Sequence, residues 1–98
     1  MFIKNSDIVD VFDRIADYLE IEGENPFKIR AYRNASRTIR GLAPELRDML
    51  ASGEELTVLP GIGKELAAKI VEILETGTAQ ALEKLKQKVP AGVVEMLK

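Results

Sequence analysis

The segment that decides the fold reads Leu59-Pro60-Gly61-Ile62-Gly63-Lys64, and it runs directly into the helical pattern Glu65-Leu66-Ala67-Ala68-Lys69-Ile70-Val71-Glu72-Ile73-Leu74. A proline and two glycines break the chain, and apolar residues then recur at helical spacing. Gly61 and Gly63 can adopt positive φ and allow another backbone to come close. The first N–H groups of a helix have no partner inside it. The segment therefore predicts a tight loop on a helix N-terminus, which suits a phosphate.

The chain has 98 residues, a net charge of -2, no Cys and no His. This length predicts a single domain over residues 1–98. No apolar run is long enough to span a bilayer and no secretory signal is present, so we expect an intracellular, cytoplasmic protein without a membrane partner. The missing Cys and His exclude the usual zinc sites and imidazole catalysis. Lys, Asp, Glu, Tyr and hydroxyl groups remain for chemistry.

Apolar spacing and helix-end signals predict an all-α fold, a compact bundle of four main helices with one or two short C-terminal helices. Asn5 or Ser6 is expected to cap the first helix, and Asn25-Pro26 to begin the second. No segment alternates in the manner of a strand. The first helix is expected to start after Asn5 or Ser6 and to run to about residue 22, and the next helices to cover residues 26–40, 44–50, 64–75 and 79–88, with a possible turn of helix at 56 and another short helix from 91.

Charge is unevenly distributed along the first two predicted helices. Residues 26–43 contain five basic residues and no acid, whereas residues 1–25 contain seven acids and two bases. For the arginines of the second helix, bidentate phosphate contact and simple solvation are equally open: Arg30, Arg33, Arg37 and Arg40. The aspartates of the first helix follow one ladder, which we expect to be a solvated face rather than a metal site: Asp7, Asp10, Asp13 and Asp17.

The loop and the helix after it resemble the helix-hairpin-helix motif, over residues of about 54–76. That motif holds the DNA backbone through loop amides and does not read sequence. A plain connection between helices is the alternative. The similarity continues along the chain and resembles the amino-terminal domain of family X DNA polymerases, of the DNA polymerase beta-like type in bacteria and archaea. The further matching segments are Asn25-Pro26-Phe27-Lys28-Ile29-Arg30-Ala31-Tyr32-Arg33-Asn34-Ala35-Ser36, Glu75-Thr76-Gly77, Leu82-Glu83-Lys84-Leu85 and Lys88-Val89-Pro90-Ala91-Gly92-Val93.

The resemblance implies binding to the 5′-phosphate side of a gap or nick in DNA, in the setting of base excision repair. It places the phosphate ligands on Lys28 and Tyr32. It also implies a lyase that removes 5′-deoxyribose phosphate through a Schiff base on Lys69. Backbone carbonyls of the loop would hold a monovalent cation, K⁺ or Na⁺, at Thr57, Leu59 and Ile62. A polymerase or another repair protein is the implied protein partner.

The chain departs from the family pattern around this site. This chain has Glu65 where the family has a second lysine of the hairpin helix, and Ala68 where the family has an acid. It has Phe27 where the family has a histidine that stacks on a base. Two flanking lysines fall on Thr57 and Ala81. Lys64, beside the loop, is expected to replace part of the lost charge.

Glu65 affects the expected lyase activity of Lys69, because a Schiff-base lysine must attack as the neutral amine. Glu65 lies four residues before Lys69, which is the favourable orientation for an ion pair on a helix. We expect that pair, or one with Glu72, to hold Lys69 charged. The sequence thus predicts little Schiff-base formation.

The sequence as a whole predicts a DNA-binding module that contacts phosphates without sequence preference. Two alternatives stay open: a deoxyribose-phosphate lyase using Lys69, and a helical protein-interaction module whose acidic first helix meets a basic partner. The residues expected to contact DNA are Gly61, Ile62, Gly63, Lys64, Lys28, Tyr32, Arg30, Arg33 and Arg37.

Overall fold

The computed structural model describes residues 3–88, and within that range all regular structure is helical. This confirms the all-α prediction. None of the helices in residues 3–88 is long and apolar enough to cross a membrane. The short helix expected from residue 91 lies outside the described residues. The helices are α1 Asn5–Glu22, α2 Pro26–Arg40, α3 Leu46–Ala51, a 3₁₀ turn at Leu56–Val58, α4 Lys64–Thr76 and α5 Gln80–Lys88.

The core forms where α1 lies along α2, and α4 and α5 also pack against α1. Phe12 of α1 meets Tyr32 of α2 edge to face, with ring centroids 5.4 Å apart and planes at 82°. Such a pair adds to the stability gained by burial alone. Ile70 and Ile73 of α4 are fully buried in the same core. Helices α2 and α4 are therefore held in fixed positions around the same core, and both helices carry residues of the predicted site.

The ends of α1 and α2 follow the local signals in the sequence. The Gly23 N–H donates to the Glu20 carbonyl at 3.1 Å after the last turn of α1. Asn25 then accepts a hydrogen bond from the Phe27 N–H at 2.8 Å, with Pro26 in the first turn of α2. A side-chain acceptor at this position satisfies an N–H that the helix itself cannot. The predicted cap and helix start are therefore confirmed.

Asn5 has a different role from the expected one. Lys4 is the residue that precedes α1, and its N–H donates to the Asp7 carboxylate at 2.8 Å. The Asn5 side chain instead accepts from the Leu46 N–H at 2.7 Å and donates to the Pro44 carbonyl at 2.9 Å. Asn5 thus caps α3, from the start of α1. The prediction that Asn5 caps its own helix was wrong, because the packing of the two helix starts turns its side chain to the first amide of α3.

We expect Asn5→Ala to lower the free energy of unfolding by about 2 kcal/mol, because it leaves the buried Leu46 N–H without an acceptor. The matched control is Ser6→Ala, an exposed neighbour in the same turn, which should change stability by less than about 0.5 kcal/mol. Urea unfolding followed by circular dichroism measures both. Equal effects of the two substitutions would contradict the cap assignment.

Candidate nucleic-acid interface

The hairpin loop connects the 3₁₀ turn to α4 and leaves the first amides of α4 without partners. Gly63 is the residue before the helix, and it has no side chain to cap it. The first α4 amide to be bonded is that of Ala67, which donates to the Gly63 carbonyl at 2.9 Å. Within the described residues, four consecutive N–H groups have no acceptor, those of Gly63, Lys64, Glu65 and Leu66. These amides and the helix dipole favour an anion.

The two loop glycines have different conformations. Gly61 has φ 77°, in the left-handed region that favours glycine. Gly63 has φ -85° and ψ -175°, an extended conformation that any residue adopts. The expectation of positive φ therefore holds for Gly61 and is wrong for Gly63. A Cβ added at Gly63 would meet no atom within 4 Å, so that position is open to an approaching partner.

The loop is held against α2. The Thr38 hydroxyl donates to the Pro60 carbonyl at 2.8 Å. A Cβ at Gly61 would lie 3.8 Å from the Asn34 Cβ, so loop and helix touch at this point. Asn34 is one helical turn from both Arg30 and Arg37, which therefore lie on the α2 face next to the loop. Arg30 also places its guanidinium 5.8 Å from the ring centroid of Phe27, which is 74% exposed.

The four arginines of α2 do not form one stripe. Arg33 pairs with Asp17 at 2.7 Å and with Glu20 at 2.8 Å. Arg40 pairs with Asp13 at 2.5 Å. These pairs join α2 to α1, so their arginines are not available to phosphate in this structure, and Asp13 and Asp17 are not merely solvated. The structure therefore does not favour phosphate contact at Arg33, which stays a prediction because exposed ion pairs of this kind are weak. The packing of α1 against α2 decides which arginines pair with carboxylates, and the sequence alone does not show how the two helices pack.

A cavity of about 180 Å³ brings together the predicted phosphate ligands and the predicted nucleophile. Lys28 and Tyr32 of α2 line one side, and Lys69 of α4 lines another. Lys84 and Lys88 of α5 also line it, and the sequence reasoning assigned them no role there. Their four-residue spacing beside the apolar Leu85 is the signal that places them on one helix face.

Tyr32 contributes a phenol that remains protonated. Burial raises the pKa of Tyr32 to about 12, and the negative charge of Glu65 adds to the increase. The ring is buried, yet its hydroxyl has no hydrogen-bond partner within residues 3–88. Because the raised pKa keeps the proton in place up to strongly alkaline pH, the hydroxyl can donate to a ligand in the cavity.

Residues 3–79 match the helix-hairpin-helix domain family. The chain is also 36% identical over 92 residues to the DNA polymerase/3'-5' exonuclease PolX of Bacillus subtilis (strain 168), a match that covers 94% of this chain and 15% of that protein. The chain belongs to the helix-hairpin-helix family. It corresponds to the amino-terminal part of a family X DNA polymerase, so the predicted resemblance is confirmed. The chain spans about one seventh of the length of this relative.

The helix-hairpin-helix domain does not form the ion pair expected between Glu65 and Lys69. In residues 3–88 no salt bridge involves either side chain, and none joins Lys69 to Glu72. Both residues line the cavity, but the Glu65 charge acts on Tyr32. The predicted ion pair was therefore wrong. The spacing of four residues permits such a pair, but the rotamers of an exposed glutamate and a half-buried lysine decide whether it forms.

Lys64 lies apart from this cavity. It lines a different depression of about 300 Å³, with Thr57 and Ala67, on the other side of the helix-hairpin-helix domain's α4. Lys64 thus shares a depression with Thr57, one of the positions where the family has a lysine, and its replacement of part of the lost charge stays a prediction. Lys64 remains next to the open amides of the loop, where its charge favours an anion.

The backbone oxygens of the predicted cation site are only partly used by hydrogen bonds within the described residues. The Leu59 carbonyl accepts a hydrogen bond from the Ile62 N–H at 3.1 Å, which leaves one of its lone pairs. The carbonyls of Thr57 and Ile62 accept no hydrogen bond within the described residues. Hard cations prefer oxygen ligands of this kind.

Proposed function

We propose that this domain binds duplex DNA through backbone phosphates and does not read base sequence. One observation carries the proposal: the open amides at the start of α4 lie in a loop that is hydrogen-bonded to α2, on the face where helical spacing places Arg30 and Arg37. Amides and arginines at one surface match the chemistry of phosphate contacts, which position a protein on DNA but carry no sequence information. The relationship to a DNA polymerase supports the same partner.

We further propose that the domain recognises gapped or nicked DNA through its 5′-phosphate, held in the cavity by Lys28 and Tyr32. Lysine supplies a charge, and the Tyr32 phenol supplies a hydrogen-bond donor whose pKa is raised to about 12. At the loop, the carbonyls of Thr57, Leu59 and Ile62 would hold K⁺ or Na⁺. That cation, when bound, would supply positive charge to a backbone phosphate beside the amides.

The test is a binding titration with gapped duplexes that carry either a 5′-phosphate or a 5′-hydroxyl in the gap. With about three or four phosphates neutralised, log K should fall against log salt with a slope near -3, and base sequence should have no effect. The 5′-phosphate should strengthen binding. A slope near zero contradicts DNA binding, and equal affinity for the two duplexes contradicts the 5′-phosphate proposal alone.

Mutations on the two surfaces of α2 should have different effects on DNA binding. Lys28→Ala should remove the preference for a 5′-phosphate and leave the affinity for the 5′-hydroxyl duplex nearly unchanged. Arg30→Ala with Arg37→Ala should weaken all duplexes alike by about tenfold or more, as backbone contacts do. Arg40→Ala is the matched control, since Arg40 pairs with Asp13 of α1, and it should leave affinity unchanged. If the double substitution of Arg30 and Arg37 does not change duplex affinity at low salt, that face of α2 is only a solvated surface.

A second candidate function is removal of 5′-deoxyribose phosphate by Lys69, and the cavity favours it. Lys69 lies in the cavity proposed for the 5′-phosphate, without an ion-pair partner in the described residues. Its amine would add to the aldehyde carbon of the ring-opened sugar and lose water to form an imine. The imine acidifies C2′; loss of a proton from C2′ to water breaks the C3′–O bond and expels the 5′-phosphate of the adjoining nucleotide of the same strand, and water then hydrolyses the imine to free Lys69. The experiment is reduction of the imine by borohydride, which traps the protein on DNA that carries a 5′-deoxyribose phosphate.

A third possibility from the sequence, a protein-interaction module based on an acidic first helix, has less support. Asp13 and Asp17 of that helix already bind arginines of α2. These pairs reduce the net negative charge that the first helix offers to a basic partner.

A further inference from the structure

Helix α5 divides its lysines between two sides. Lys84 and Lys88 line the 180 Å³ cavity together with Lys28 and Lys69. Lys86 lies elsewhere on α5, pairs with Glu83 at 3.2 Å and lines a separate polar depression against α1. The buried Leu82 and Leu85 hold α5 on the core, so the orientation of the helix is fixed by packing. This packing directs Lys84 and Lys88, and not Lys86, to the cavity.

The cavity therefore receives cations from three helices. Four lysines line it against two carboxylates, those of Glu24 and Glu65, which leaves an excess of positive charge. Within the described residues neither Lys84 nor Lys88 has an ion-pair partner. Several unpaired amines that surround one small volume repel each other unless an anion lies between them. This arrangement differs from a DNA-backbone surface, where cations follow a line of separate phosphates.

The size and charge of the site indicate one kind of anion. A volume of about 180 Å³ is below the roughly 300 Å³ at which pockets for drug-sized ligands begin, so a sugar phosphate fits better than a base pair. A phosphate monoester carries a charge of about -1.5 to -2 near neutral pH, whereas an internal phosphodiester carries a single charge. A convergent lysine cluster therefore discriminates in favour of a terminal phosphate over the phosphates of an intact strand.

We propose that Lys84 and Lys88 are ligands of the terminal 5′-phosphate and form the α5 wall of its site. This inference rests on the proposed function, since it assigns further residues to the same cavity. It also explains how the site keeps its charge although Glu65 and Ala81 stand at two positions where the sequence comparison expected lysines. Ala81 lines the cavity one turn before Lys84 and leaves room for the lysines that follow.

The experiment compares the whole chain with Lys84→Gln/Lys88→Gln and with the control Lys86→Gln, using gapped duplexes that end in 5′-phosphate or 5′-hydroxyl. We expect the double variant to lose about tenfold of the preference for the phosphorylated duplex, with affinity for the 5′-hydroxyl duplex changed less than about twofold. Lys86→Gln should match the unmodified chain. All three lysines are exposed, so circular dichroism should show equal helix content.

Each other outcome has a distinct meaning. If the unmodified chain prefers the phosphorylated duplex and the double variant keeps that preference, the inference fails and the proposed function stands. If the double variant weakens both duplexes equally, the lysines contact the DNA backbone and the inference also fails. If the unmodified chain does not distinguish the two duplexes, recognition of the 5′-phosphate fails and the α5 assignment fails with it.

Discussion

Gly63→Val should reduce the affinity for duplex DNA at least about a hundredfold, while helix content and stability remain nearly unchanged. The fold should tolerate the change, because Gly63 has φ -85° and a Cβ there meets no protein atom within 4 Å. The same open space is where a phosphate must approach the free amides of Gly63, Lys64 and Glu65. A branched side chain at the start of α4 would fill that approach.

The graded control for this prediction is Gly63→Ala, which adds one carbon at the same unstrained position and should have a smaller effect. Gly61→Val is a poorer test, because φ is 77° at Gly61 and a β-branched residue there strains the loop itself. Circular dichroism and a DNA titration on the same preparations measure fold and binding together. Normal affinity of Gly63→Val would show that the loop is only a connection between helices.

Local signals were sufficient to predict most of the fold. Asn25 and Pro26 start α2, and Gly23 and Gly77 follow the last residues of α1 and α4. Such ends depend on φ preferences and on side-chain acceptors within a few residues, so they are readable from a short window. Asn5 was misassigned because its partners, Pro44 and Leu46, come from another helix.

The arginines of α2 show why the site was harder to predict than the fold. Arg30 and Arg37 are offset from Arg33 and Arg40 by about 60° around the helix, a small angle on a helical projection. That angle nevertheless separates the loop side from the α1 side, where Asp13 and Asp17 are located. Which side a residue faces depends on how α1 and α2 pack, and no local pattern contains that information.

The cavity is a second nonlocal feature. Lys28, Lys69 and Lys84 are far apart in sequence and meet only because α2, α4 and α5 share a core. The resemblance to a polymerase family supplied Lys28 and Lys69, and on α5 it pointed to Ala81, whereas the lysines of α5 that line the cavity required the structure. Comparison by position therefore identified only part of the charge that the structure places around the cavity.

The other large effect is expected at Lys69. We expect the unmodified chain to form a borohydride-trapped adduct with a gapped duplex that carries a 5′-deoxyribose phosphate, at neutral pH. The Lys69 amine adds to the sugar aldehyde and loses water, and borohydride reduces the resulting imine to a stable secondary amine. The sequence predicted little adduct because of a Glu65–Lys69 pair, and the structure does not form that pair in residues 3–88, which removes this restraint on the nucleophile.

Lys69→Ala should reduce the adduct by at least about a hundredfold, since the other lysines of the cavity are assigned to binding the phosphate. Lys64→Ala is the matched control. Lys64 lies on the same helix but lines the 300 Å³ depression rather than the 180 Å³ cavity, so its loss should leave the yield unchanged. Adduct that persists in Lys69→Ala and disappears in Lys64→Ala would assign the chemistry to the loop lysine.

Glu65→Gln tests the remaining point, whether the carboxylate restrains Lys69 when DNA is bound. Because no salt bridge joins Glu65 to Lys69 in residues 3–88, removing the Glu65 charge should change the adduct yield less than about twofold. A large increase in yield would show that the ion pair forms in the complex and holds the amine protonated. In that case the sequence-based expectation holds for the DNA-bound state, and raising the pH should increase the yield of the unmodified chain in the same way.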